Sequence, residues 1–251
     1  MDPFGTTRSR VRRTHALIAP ESFVTSDLPG WQGTRGAIVI APAMGARFTQ
    51  YLALMEQGGA AGPASPGIER VLYVLEGEAT LALPELPERV LCPGAFAYWP
   101  PGATGTLRAL TACRLNVFEK RHVRRLGLAT PGPLVGNERE VEGAPFLGDP
   151  DAVLQVLLPA DPRFDLAVNV LTYQPGATLP LVEVHMMEHG LLMLEGQGVY
   201  RLGDDWYPVQ QGDVIWMAPY CPQWFVAMGK QPARYLYYKD VNRDPMEEEP
   251  A

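Results

Sequence analysis

Ile68-Glu-Arg-Val-Leu-Tyr-Val-Leu-Glu-Gly77 and Met187-Glu-His-Gly-Leu-Leu-Met-Leu-Glu-Gly196 are two versions of one stretch, with Leu-Glu-Gly recurring at an offset of 119 residues. Downstream, Pro93-Gly-Ala-Phe-Ala-Tyr-Trp-Pro-Pro101 matches Gln211-Gly-Asp-Val-Ile-Trp-Met-Ala-Pro219 at an offset of 118. A period this long exceeds any solenoid unit and suits two related domains of ~100 residues each. Within the second copy, apolar runs at 191–194, 198–202, 206–209 and 214–217 are separated by Gly, Pro and Asp, as in a meander of strands. Gly203-Asp-Asp205 supplies turn chemistry, and 234–239 reads as a further strand. The expectation is an all-β chain of two tandem jelly-roll barrels: residues 1–128, a Pro/Gly-rich linker at 129–149, and residues 150–251.

Composition agrees. Gly and Pro number 25 each in 251 residues, a share that long helices do not tolerate. The hydrophobic fraction of 47% argues against disorder. A net charge of −7 gives no reason to bind nucleic acid or an anionic membrane. Arg8, Arg10, Arg12 and Arg13 read as a solvated basic arm, and Glu247-Glu-Glu-Pro-Ala251 as a frayed end. Cys92, Cys113 and Cys221 are odd in number and widely spaced, so neither a disulfide framework nor a thiolate metal site is expected. No signal-peptide pattern or long apolar span stands out, and the expected location is the cytoplasm.

Two of the four histidines fall in Glu183-Val-His185-Met-Met-Glu-His189. On an extended chain Glu183 and His185 share a face, and His189 returns to the same point from the start of the next strand. Imidazole with carboxylate suits a borderline divalent cation. The same residues spell H-x-x-E-H, an inverted zinc-peptidase signature that requires a helix. Pro175, Gly176 and Pro180 before it, and Gly190, Gly196 and Gly198 after it, forbid that helix. Glu188 is then left to a loop or to the opposite face.

The spacing resembles the first motif of the cupin superfamily, with Glu183, His185, His189 and then Gly196. The second cupin motif is matched by Gly212, Pro219 and Gln223, so glutamine stands where most cupins carry histidine. A Glu-His-His-Gln set is similar to that of the bicupin family of (S)-ureidoglycine aminohydrolases. The likeness runs through His15-Ala-Leu-Ile-Ala-Pro-Glu21, Leu28-Pro-Gly-Trp31 and Tyr237-Tyr-Lys-Asp-Val-Asn-Arg243. It implies a Mn²⁺ site at Glu183, His185, His189 and Gln223, and ammonia release from ureidoglycine to give ureidoglycolate, a late step of allantoin breakdown. Tyr200, Tyr235 and Lys239 match family active-site positions, with Lys239 the expected proton-transfer or substrate-orienting group. In the first copy the ligand positions hold Ala64, Pro66, Arg70 and Gly105, so that barrel is expected to bind no metal.

Four protein ligands leave two positions on an octahedral ion, which favours Mn²⁺ over a closed zinc site. Other metal-dependent cupin chemistry, such as an Fe²⁺ dioxygenase or an isomerase, is an alternative, as is a non-catalytic small-ligand binder. A small-molecule substrate and a homo-oligomer are the expected partners.

Overall fold

The computed structural model describes residues 6–244 and 246; the acidic end lies outside the described residues. Among the described residues it is built from strands with three short 3₁₀ turns, and no helix among them is long and apolar enough to cross a membrane. The C-terminal half pairs an eight-stranded sheet with a three-stranded one made of Gln197–Leu202, Asp205–Gln210 and Gln223–Met228. In the larger sheet Val214–Met217, His189–Glu195, Ala233–Asp240, Leu166–Tyr173 and Asp149–Val156 are successive neighbours. The N-terminal half curls a ten-stranded sheet around Ile68–Glu76, Cys113–Arg121 and Thr49–Ala61.

Period-two alternation builds three cores. Leu72, Val74, Leu115 and Val117 fill the N-terminal barrel. Leu191, Met193, Tyr200, Phe225, Tyr235 and Tyr237 fill the C-terminal barrel. The opposite faces of the same strands, including Val71, Tyr73 and Phe118 from one half and Leu192, Leu236 and Tyr238 from the other, form a third core between the barrels. These strands are buried on both sides, which is why they read as continuous apolar runs.

The recurring Leu-Glu-Gly has a backbone cause. Gly77 and Gly196 sit at φ 78° and 73°. A Cβ there would lie 2.1 Å from the Ala112 carbonyl oxygen and 2.3 Å from that of Pro232. Only glycine fits both the left-handed conformation and the close approach.

The structure departs from the reading at both connections. The basic segment is not a solvated arm: Arg8 Nη1 and Nη2 each donate to the buried Asp213 carboxylate at 2.7 Å. Arg10–Val11 pairs with His15–Ile18, which in turn pairs with Val214–Met217, so the first strands extend the sheet of the C-terminal half. A bidentate guanidinium on a buried carboxylate supplies the tether that composition does not reveal. Within 129–149, Leu134–Asn137 pairs with Ala95–Trp99 of the first half, and Ala144–Phe146 pairs with Asp149–Val156 of the second.

Candidate metal centre and active site

Glu183 makes a single antiparallel bridge to Gln223, with N–H to carbonyl bonds of 2.9 and 3.0 Å. Glu183 and His185 therefore lie on a bridged extended segment, not on a ladder strand. The His185 carbonyl is fixed by the Tyr220 N–H at 2.7 Å. His189 opens the strand His189–Glu195 and faces the barrel interior, and Glu188 before it faces the seam.

The structure brings the four expected ligands together. His185 Nε2 lies 3.1 Å from His189 Nε2, 3.0 Å from Gln223 Nε2 and 3.9 Å from Glu183 Oε2. His185 Nδ1 donates to the Met187 carbonyl at 3.1 Å, which leaves its Nε2 lone pair aimed at the other donors. Burial, with His185 and Lys239 nearby, holds His189 well below its ordinary pKa, so it is a neutral imidazole. Burial pushes Glu183 up, while His185 and Lys239 pull it back. Two facing Nε2 lone pairs repel unless a proton or a cation is shared between them. With one carboxylate and one amide beside them, this donor set fits a divalent ion.

Tyr235, Tyr237 and Lys239 share one face of Ala233–Asp240 and point into the same cavity, and Lys239 is the cross-strand partner of His189. The cavity measures about 260 Å³ and is also lined by Tyr200, Met187 and Leu147. Tyr200 donates to Gln223 Oε1 at 3.3 Å, orienting the amide. Tyr235 and Tyr173 share a hydroxyl contact of 3.2 Å. Burial raises Tyr200 and Tyr235 far above the usual phenol range, so both act as neutral hydroxyls. Burial lowers Lys239, against the pull of Glu183.

Two other features compete for attention. A larger cavity of about 420 Å³ opens at the seam between Leu52, Leu54, Leu192 and Leu194. Arg114 is its one ionisable lining side chain, so size does not locate the chemistry. The second is a buried cluster that the sequence reading misses. Glu69, His122 and Asp165 offer donor atoms all within 4.8 Å of one another. Lys120 already supplies a cation there, hydrogen-bonded to Asp165 and 3.6 Å from Glu69. His122 Nδ1 contacts Glu69 and Asp165 at 3.0 and 3.1 Å, and they raise its pKa to about 9, Asp165 the more strongly. These residues lie in or just beyond separated strands of both halves, and the scarcity of lysine is the one sequence signal that marks them.

The cupin-domain family model matches residues 169–238. The chain is 46% identical over 244 residues to (S)-ureidoglycine aminohydrolase of Arabidopsis thaliana, covering 96% of this chain and 80% of that one. It is 36% identical over 234 residues to (S)-ureidoglycine aminohydrolase of Escherichia coli K12, covering 91% and 89%. The crystal structure of protein Ylba from E. coli superposes with a TM-score of 0.84 at 33% identity, covering 95% of this chain and 96% of that one.

Proposed function

From membership of the (S)-ureidoglycine aminohydrolase family, to which this chain belongs, we propose that it releases ammonia from (S)-ureidoglycine to leave (S)-ureidoglycolate, using Mn²⁺ held by Glu183, His185, His189 and Gln223. The observation that carries the metal is the convergence of His185, His189, Gln223 and Glu183 side chains on one cavity, with His185 Nε2 3.1 Å from His189 Nε2 and 3.0 Å from Gln223 Nε2. Two imidazoles, one carboxylate and one amide leave a divalent ion with net positive charge. When bound, such an ion supplies a field that holds an anionic substrate and polarises an oxygen.

The chain's own groups supply the rest. A cavity of about 260 Å³ is below the ~300–1,000 Å³ range of drug-sized sites, and it suits a substrate of this small size. Exchange of amine for hydroxyl breaks one C–N bond and forms one C–O bond. A proton must reach the leaving nitrogen, and the incoming water must lose one. Lys239 is the cavity-facing group able to pass that proton, because burial brings its pKa toward neutrality. Tyr235, with Tyr237 beside it, presents a neutral hydroxyl that donates to substrate oxygens without removing protons. Tyr200 keeps the Gln223 amide turned to the site.

The same reading places the chain in the cytoplasm as a homo-oligomer. Three free thiols support a reducing compartment, and the edge strands Arg10–Val11 and Ala144–Phe146 are available for pairing between copies.

The test is ammonia release from freshly generated ureidoglycine, with metal analysis of protein purified without chelator. Ammonia release dependent on Mn²⁺ and lost in Glu183→Ala supports the reading. Undiminished release in both Glu183→Ala and Lys239→Ala, or oxygen consumption in its place, overturns it.

A further inference from the structure

We infer that Arg47, a residue of the N-terminal barrel, is a positioning residue for the C-terminal pocket, holding His189 and Lys239 from behind through Glu188 and Asp240. The inference rests on reading Glu183, His185, His189 and Gln223 as a metal site. His189 and Lys239 are cross-strand partners facing the cavity. Their chain neighbours Glu188 and Asp240 face the other way, into the seam. There Arg47 bridges them: its backbone N–H and Nε reach Glu188 Oε1 at 2.9 and 3.3 Å, and its Nη2 reaches Asp240 Oδ2 at 2.6 Å. Asp240 Oδ1 also accepts from the Glu188 N–H at 2.7 Å, and Trp216 Nε1 donates to Glu188 Oε2 at 3.4 Å.

Side chains that press on Gly190 fix the segment that carries Arg47. A Cβ on Gly190 would lie 2.5 Å from Phe48 Cζ and 2.8 Å from Gln50 Oε1, so this stretch of the first barrel lies directly on the strand of His189. One guanidinium thus sets the spacing of two carboxylates on two adjacent strands, and with it the spacing of the two cavity-facing side chains one residue away. A planar fork does this and a point charge does not.

The repeat explains how the contact arose. Arg47 and Asp165 are equivalent, 118 residues apart, because Thr49 pairs with Glu119 as Ala167 pairs with Lys239. Asp165 crosses the seam in the other direction, to Lys120 beside Glu69, the counterparts of Asp240 and Glu188. Each barrel clasps the back of the other, and only one clasp stands behind a set of metal-ligand side chains.

The experiment compares full-length Arg47→Met, Arg47→Lys and Val71→Ala, the last a packing change in the seam. Mn²⁺ affinity is read by electron paramagnetic resonance of the free ion, and ammonia release by kcat and KM at saturating Mn²⁺. Arg47→Met is expected to bind Mn²⁺ ~10-fold more weakly and to lose ~10–100-fold in kcat with KM little changed. Val71→Ala is expected to lower Tm and leave both readouts at wild-type values. Arg47→Lys, read also if Arg47→Met does not fold, is expected to fall between Arg47→Met and wild type. Wild-type affinity and kcat in the Arg47 variants, or equal losses in Val71→Ala, overturn the inference. A wild-type protein that binds Mn²⁺ but releases no ammonia overturns the function reading, and the affinity readout still decides the role of Arg47.

Discussion

The two barrels carry corresponding strands at closely similar offsets but treat their interiors differently. Where the second places His189 beside Lys239, the first places Arg70 beside Glu119, again as cross-strand partners. The Arg70 guanidinium bonds Glu119 at 2.6 Å and lies 5.2 Å from the ring centres of both Trp31 and Trp99. Where the second has Gln223, the first has Gly105, and a Cβ there would already meet Leu83 at 2.7 Å and Trp99 at 3.0 Å. A scaffold position that opens onto chemistry in one copy is filled by a cation and indoles in the other. The fold therefore does not dictate activity; the side chains at four or five inward positions do.

The comparison breaks outright if both barrels hold metal. Metal analysis should return one ion per chain, and Glu183→Ala should abolish it, with a loss of ammonia release beyond the ~10–100-fold that outer-shell changes cost. Two ions per chain would refute the contrast. Lys239→Met should reduce kcat by ~10²–10⁴ with Mn²⁺ still bound, as loss of a proton-transfer group does. Arg70→Met should do the reverse. It leaves the half-buried Glu119 without its partner and should cost about 1–3 kcal/mol in urea unfolding, with kcat per folded molecule unchanged.

The smallest effect concerns the seam. His122 is held at about 9, above its ordinary value, by Asp165 and Glu69, with Lys120 and the Tyr98 hydroxyl facing the same cluster. A raised folded-state pKa means that its contribution is full below pH ~6.5 and is lost as pH rises through about 9. That contribution is at most about 3 kcal/mol. Thermal unfolding of the wild type should fall over that window, and His122→Gln should flatten the fall.

Much of this was legible in the chain. The repeat and the strand periodicity can be read by eye and have their counterparts in the two barrels, and the closely spaced Glu183, His185 and His189 line one cavity. Trp206, which opens the apolar run 206–209, is 57% exposed and packs edge-on against Trp224. What sequence did not show is where two distant segments meet. Nothing near Arg8 announces Asp213, and nothing near Arg47 announces Glu188 and Asp240. The Glu69, His122, Asp165 and Lys120 cluster likewise assembles from both halves. Such contacts depend on how two finished barrels dock, and a strand's own alternation tells only that its second face is covered, not by what.

The pairing of His15–Ile18 with Val214–Met217 has a consequence for synthesis. His15–Ile18 leaves the ribosome about 200 residues before its partner is made, ~10–40 s at ordinary elongation rates. Until then its apolar side chains need shelter, and synthesis of Val214–Met217, not emergence of the first barrel, sets when this part of the native topology can close.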